Sequence, residues 1–194
     1  MKRLIFLTYC FIFLVGSCAL KKKQTTIVDD DYIPWTENYK LKWNDFNGNI
    51  SNLPIDALTV IIREVKQVGL SKSSININIF CYFDRNSSWK RYNVGKNLLE
   101  HEQLHFDLAE IFTRKLRKAY MEYISYDLNE TAIELKEIRE KIYLEEKKMD
   151  ELYDQETNFS KNKEKQKEWE KKIKAMLKEY EQYANPYVEV KREP

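Results

Sequence analysis

The hydrophobic period of this chain changes at Asn97. Upstream, Ile75, Ile77, Ile79, Cys81 and Phe83 alternate with Asn76, Asn78, Phe80 and Tyr82, a period of two that suits a strand. Downstream, Leu98, His101, His105, Leu108, Phe112, Leu116 and Tyr120 recur at three and four, one stripe of a helix. Such a chain must place sheet and helix in separate stretches. Only four glycines and four prolines occur in 194 residues, which favours long helices over a turn-rich sandwich. The expected fold class is α+β: a small antiparallel or mixed sheet packed on the helix that carries residues 101–105, followed by a long helical hairpin.

Weaker signals fill in the rest. Tyr39, Leu41 and Trp43 alternate with polar neighbours and predict a strand, closed by the turn chemistry of Asp45-Phe46-Asn47-Gly48. Residues 57–68 are β-branched and favour strand over helix. Asp84 to Ser88 reads as a loop, with a short segment from Trp89 to Val94 beyond it. In the C-terminal third, Leu135, Ile138, Ile142, Met149 and Leu152 mark the inner face of one helix. Trp169, Ile173, Met176, Tyr180 and Tyr183 mark that of a second. The charge run from Lys161 to Lys174 is expected to be a solvated face. The pair is expected to close near Asn185-Pro186.

The N-terminus reads as an export signal. Lys2 and Arg3 precede an apolar run from Leu4 to Val15, then Val15-Gly16-Ser17-Cys18. Ending on cysteine, it resembles a bacterial lipoprotein signal, which implies lipid on Cys18 and a membrane anchor without a spanning helix. Ala19 after the cysteine points, by the same resemblance, to the outer membrane facing the periplasm. The expected division is a signal peptide over 1–17, a lipidated tether over 18–38, a sheet and active-site helix over 39–128, and the helical hairpin of the same domain over 129–194. Cys81 is then the one cysteine left in the mature domain. No internal disulfide can form, and its apolar setting suits a buried small side chain better than a nucleophile. A net charge of +2 gives no bulk attraction to nucleic acid.

The chain has two histidines, His101 and His105, and both lie in His-Glu-Gln-Leu-His. Chance places two histidines four apart with glutamate after the first roughly once in a thousand such chains, so this H-E-x-x-H match carries weight. Four residues are just over one helical turn, so both imidazoles project from one face. Two imidazoles on a buried stripe need several hydrogen-bond partners or a shared cation. Zinc ligated by His101 and His105, with Glu102 as general base, is the chemistry this spacing implies. A third ligand has to be a carboxylate or a tyrosine. Glu145 and Glu156 fall on the inner face marked by Ile142 and Met149, whereas Asp154 is expected to point elsewhere. The two glutamates are about 16 Å apart along a helix, so one ion cannot use both. Glu156 is the tentative third ligand; pairing with lysine or reaching water is the competing account of both glutamates.

Three stretches resemble the domain of unknown function 922 family, bacterial exported proteins described as predicted secreted zinc-dependent proteases. They are Trp43-Asn44-Asp45-Phe46-Asn47-Gly48, then Phe83 and Ser88-Trp89 with Leu99 to Glu110, and Tyr153-Asp154-Gln155-Glu156-Thr157 with Gln166 and Trp169. The resemblance implies zinc at His101 and His105 and catalysis by Glu102. The chain departs from that family where a histidine-glycine pair commonly follows the threonine: here the pair is Phe159-Ser160. Phenylalanine cannot bind zinc, so either Glu156 substitutes, or the site is weakened, or the protein is an inactive relative. The expected function is a membrane-anchored zinc peptidase acting on peptide or protein substrates, with membrane lipid as its other partner. The alternative is an inactive envelope lipoprotein of the same scaffold, acting as a binding or structural protein.

Overall fold

A computed structural model describes residues 30–193. The expected signal peptide, Cys18 and most of the expected tether lie outside the described residues.

The strands in chain order are β1 (Tyr32–Pro34), β2 (Ala57–Leu58), β3 (Ile61–Leu70), β4 (Ser74–Asp84) and β5 (Trp89–Lys90). The helix α1 (Lys96–Glu122) leads through β6 (Ile124–Ser125) to α2 (Leu128–Thr157), α3 (Lys163–Glu179) and β7 (Tyr187–Arg192). The fold is mixed α+β, a small mixed sheet with three helices. β4 is its centre. β3 runs antiparallel along one side, with Ile61 opposite Phe83 and Leu70 opposite Ile75. The other side of β4 is shared: β1 pairs with residues 82–84 and β7 with residues 74–78. β6 adds a parallel pairing outside β7. β2 and β5 form a separate two-stranded ribbon. Alternation along β4 buries Ile75, Ile77, Ile79, Cys81 and Phe83. Burial also pushes the Cys81 thiol up to about 12, although the Arg63 charge opposes it; the side chain is an inert core group.

Three differences from the sequence expectation have physical causes. Residues 39–43 do not form a strand. The Leu41 N–H goes to Gln103 Oε1 at 2.8 Å and the Lys42 N–H to Asp45 Oδ2 at 2.8 Å, so side chains take the donors that a ladder would use. The segment then closes in a 3-10 turn at Trp43–Asp45. Gly48 follows, and a Cβ there would lie 2.8 Å from the backbone oxygens of Asn86 and Ser88. The ordered fold begins before Tyr39: residues 32–34 pair with β4, and Trp35 Nε1 donates to Asp107 at 2.8 Å. The chain also does not end on helices, because residues 187–192 return to the sheet as β7.

α1 is buried on every side. From His101 to Arg117 every residue except His105 and Lys115 is buried. Its apolar stripe packs in the main core with Ile77, Ile79, Tyr153, Trp169 and Ile173. Its polar face is also covered, and pairing makes that tolerable. Glu110 Oε1 accepts from Arg114 at 3.0 Å and from Arg117 at 2.8 Å. Arg117 also donates to the carbonyls of Ile79 and Tyr183, tying helix to sheet. Asp107 accepts from Gln103 at 2.8 Å, besides Trp35.

α2 starts on Asp127, whose side chain accepts from the N–H groups of Asn129 and Glu130, an N-cap. It runs antiparallel to α1: Tyr120 donates to the Leu135 carbonyl, and Tyr153 to that of His101. A short link, 158–162, turns the chain into α3. Within it Asn158, Phe159 and Ser160 have φ of 48°, 52° and 68°, a left-handed run that costs non-glycine residues roughly 1–2 kcal/mol each. No helix among the described residues is long and apolar enough to cross a membrane.

Candidate metal centre

The centre lies where α1 meets α2 and α3. His101 and His105 face α2, which answers with acids at the same four-residue spacing, Asp150 and Asp154. His105 Nδ1 lies 2.6 Å from Asp150 Oδ1, and His101 Nδ1 lies 3.2 Å from Gln166 Oε1 on α3. Both partner atoms accept, so each ring carries its proton on Nδ1 and presents Nε2 as a lone pair. The lone pairs converge. The two Nε2 atoms are 3.1 Å apart. Asp154 Oδ1 is 3.1 Å from His101 Nε2 and 3.2 Å from His105 Nε2.

Three acceptors at such distances need a proton or a cation between them. In the metal-free protein a proton serves. Burial by itself would lower the His105 pKa, but the Asp150 and Asp154 carboxylates outweigh it and hold it well above the ordinary histidine range. Burial likewise opposes ionisation of Asp154, yet the charge of His105 and the histidine hydrogen bonds hold it well below the usual carboxylate range. A metal ion meets the same need more fully. Tetrahedral arms of about 2.0–2.1 Å place donors about 3.3–3.4 Å apart, close to the 3.1–3.2 Å separations here. His101, His105 and Asp154 are therefore a group that can hold a metal ion.

The surroundings fix these donors. The Tyr153 ring stacks on His101 at 4.5 Å between centroids, and its hydroxyl donates to the His101 carbonyl at 3.2 Å. Gln166 Nε2 donates to the Tyr153 hydroxyl at 2.8 Å, which orients the amide so that its oxygen faces His101. Such outer contacts set the tautomer and the rotamer of a ligand. His101 is 2% exposed, while the side chains of His105 and Asp154 are 14% and 20% exposed, so access is from the His105 and Asp154 side.

Glu102 is buried next to the pair. Thr59, between β2 and β3, donates to its Oε2 at 2.8 Å. Burial pushes the Glu102 carboxyl up, against the lowering effect of both histidines and of the Thr59 hydroxyl.

Compared with protein-family models, with curated proteins and with solved structures, the chain has no significant match. The geometry therefore stands by itself.

It brings together His101, Glu102 and His105, and it supplies Asp154 where Glu156 was expected. Glu156 is exposed and accepts from Trp169 Nε1 at 2.8 Å, outside the donor group. Glu145 is exposed as well. Leu135, Ile138, Ile142 and Met149 face the core as expected, but at the end of α2 the inner position is Tyr153 and not Leu152. Tyr153 is fully buried and Leu152 is 42% exposed. Glu146, Asp150 and Asp154 are half-buried, whereas Glu145 and Glu156 are exposed. The sequence does hold a signal for it: Asp150 and Asp154 repeat the i,i+4 spacing of the histidines they face.

Proposed function

We propose that this protein is a zinc-dependent peptidase, anchored to a membrane by lipid on Cys18. The observation that carries the reading is the meeting of two imidazole Nε2 atoms and one carboxylate oxygen beside the buried carboxyl of Glu102. The donor set suits zinc: two nitrogens, one oxygen and no thiolate, with a fourth position left for a reactant. Zinc held there supplies a Lewis acid that brings the pKa of a water toward neutrality and polarises a carbonyl.

The residues divide the remaining work. Asp150 and Gln166 hold the imidazoles in the binding tautomer, and Tyr153 fixes the His101 ring. Thr59 occupies Glu102 Oε2, which leaves Oε1 for proton transfer. Glu102 takes a proton from the attacking water as the oxygen bonds to the scissile carbon. It returns that proton to the amine nitrogen as the C–N bond breaks. Its raised pKa suits both halves, because a base that must later act as an acid works best near the operating pH. β4 cannot lend an edge to substrate, since β3, β1 and β7 cover both of its sides. β3 pairs with β4 alone among the described strands and offers the edge along which an extended peptide can pair. The resemblance to the domain of unknown function 922 family, and a place in the bacterial envelope on the outer membrane facing the periplasm, belong to the same proposal.

A second reading is a non-catalytic lipoprotein in which the ion only joins α1 to α2; the 2% exposure of His101 favours it. Zinc content and hydrolysis of a quenched peptide library separate the two. The peptidase reading expects one zinc per chain, lost in His105→Ala, and cleavage abolished in a Glu102→Ala variant that keeps its zinc. Bound zinc without cleavage in the wild type selects the structural ion, and no bound zinc rejects both.

A further inference from the structure

Near the donor group lies a shallow, open cleft of about 470 Å³. One wall is the segment leading into α1, with Tyr92, Val94 and Leu98; the other is the α2–α3 link, with Phe159, Lys161 and Lys163. No donor lines the cleft itself, but each wall is joined to one through the chain. Leu98 precedes His101 by three residues, about 4.5 Å along the same face of α1. The Phe159 N–H donates to the carbonyl of Asp154 itself at 3.0 Å.

The link is held in an unusual shape. Three successive non-glycine residues, Asn158, Phe159 and Ser160, have positive φ. Hydrogen bonds from Lys161 to the Asn158 carbonyl at 3.2 Å and from Asn162 to the Thr157 carbonyl at 2.8 Å lock that shape. Strain of this kind, tied to a candidate ligand and turned toward a cleft, marks a surface shaped for contact. Opposite it, Tyr92 is 84% exposed, an aromatic ring offered to solvent at the rim. The charge of the cleft is one-sided. Lys161 and Lys163 make no ion pair among the described residues. The one acid on the wall, Asp56, lies 3.7 Å from Arg91 Nε and is offset by it.

Resting on the peptidase reading, we propose that this cleft is the specificity groove of the site and takes an extended peptide in which an aromatic side chain is followed by acidic ones. The aromatic ring packs between Tyr92 and Phe159, and the carboxylates meet Lys161 and Lys163. The link thus selects the substrate while α2 supplies the metal donor.

The test is binding of blocked ten-residue peptides to the full-length chain in mild detergent, measured by calorimetry at 150 mM salt. The probes are an alanine peptide with one phenylalanine followed by two glutamates, its two-lysine counterpart, and a version without the phenylalanine. The glutamate peptide is expected to bind at least tenfold more tightly than the lysine peptide. Lys161→Glu with Lys163→Glu, both at exposed positions, is expected to reverse that order, and Phe159→Ala to abolish the advantage of the phenylalanine. His105→Ala is expected to lose zinc and keep the preference. Equal binding of the two charged peptides by the wild type, or an order unmoved by the lysine reversals, overturns the groove. A preference that persists while no peptide is cleaved by the zinc-loaded wild type upholds the groove and rejects the peptidase reading.

Discussion

Removing Asp150 tests how the histidines are held more sharply than removing a ligand does. Asp150 touches His105 alone in the group, through one bond of 2.6 Å from Nδ1. A hydrogen bond between a carboxylate and an imidazole that carries partial positive charge is worth about 1.5–3 kcal/mol. The bond on His101 is neutral and longer, 3.2 Å to Gln166, worth about 0.5–1.5 kcal/mol. Asp150→Ala is therefore expected to weaken zinc binding by about 10–100-fold, and Gln166→Ala by less than about tenfold. The acid dependence adds a second signature. Asp150 also favours the protonated form of His105, which competes with metal. Its loss should thus cost most at high pH, where no proton competes, and least at low pH. Competition against a fluorescent chelator between pH 6 and 9 measures all of this. Equal affinities for wild type and Asp150→Ala at pH 8, or a larger loss from Gln166→Ala, would refute the reasoning.

Three further outcomes are expected. The metal-free protein should lose stability as pH rises from weakly acidic to alkaline. The raised His105 pKa confers stability that is complete below the unfolded value of about 6.5 and lost through the folded value. Glu146, raised to about 7 by burial despite Arg63, acts in the same direction. Asp154, lowered by its histidines, withdraws its support only in strong acid. Thermal melts with and without zinc check the sign, since zinc displaces the proton and should move the optimum upward; a metal-free melting temperature that climbs from pH 6 to 9 contradicts it. Arg63→Leu strands Glu146, its buried ion-pair partner, and should cost about 3–5 kcal/mol in denaturant unfolding, with most of that regained in Arg63→Leu/Glu146→Leu. Phe159→Gly should raise stability by up to about 1 kcal/mol, relief of left-handed strain exceeding the added chain entropy, while peptide affinity falls; loss of both would deny that the link is strained.

Much of this was legible in the chain, and the illegible parts share a cause. β4 and α1 announce themselves because each keeps one period over many residues, and the His101–His105 pair stands out because histidine occurs nowhere else. The buried polar face of α1 was hidden. Glu110, Arg114 and Arg117 look like a solvated face until the partners in β4 and the C-terminal chain are in place. The third donor was missed by two positions on α2, Asp154 in place of Glu156, because apolar spacing marks Leu152 as an inner residue where the buried one is Tyr153. β1 and β7 are short and take their meaning from β4, a pairing that local pattern does not record.

The central claim is that His101, His105 and Asp154 close on one cation. Zinc X-ray absorption on the zinc-loaded protein tests it most directly. Two imidazole nitrogens and one carboxylate oxygen are expected around the zinc at about 2.0–2.2 Å, with the carboxylate contribution absent in Asp154→Ala and present in Glu156→Ala. A sulfur neighbour, a shell without imidazole, or a spectrum changed by Glu156→Ala and indifferent to Asp154→Ala would contradict it.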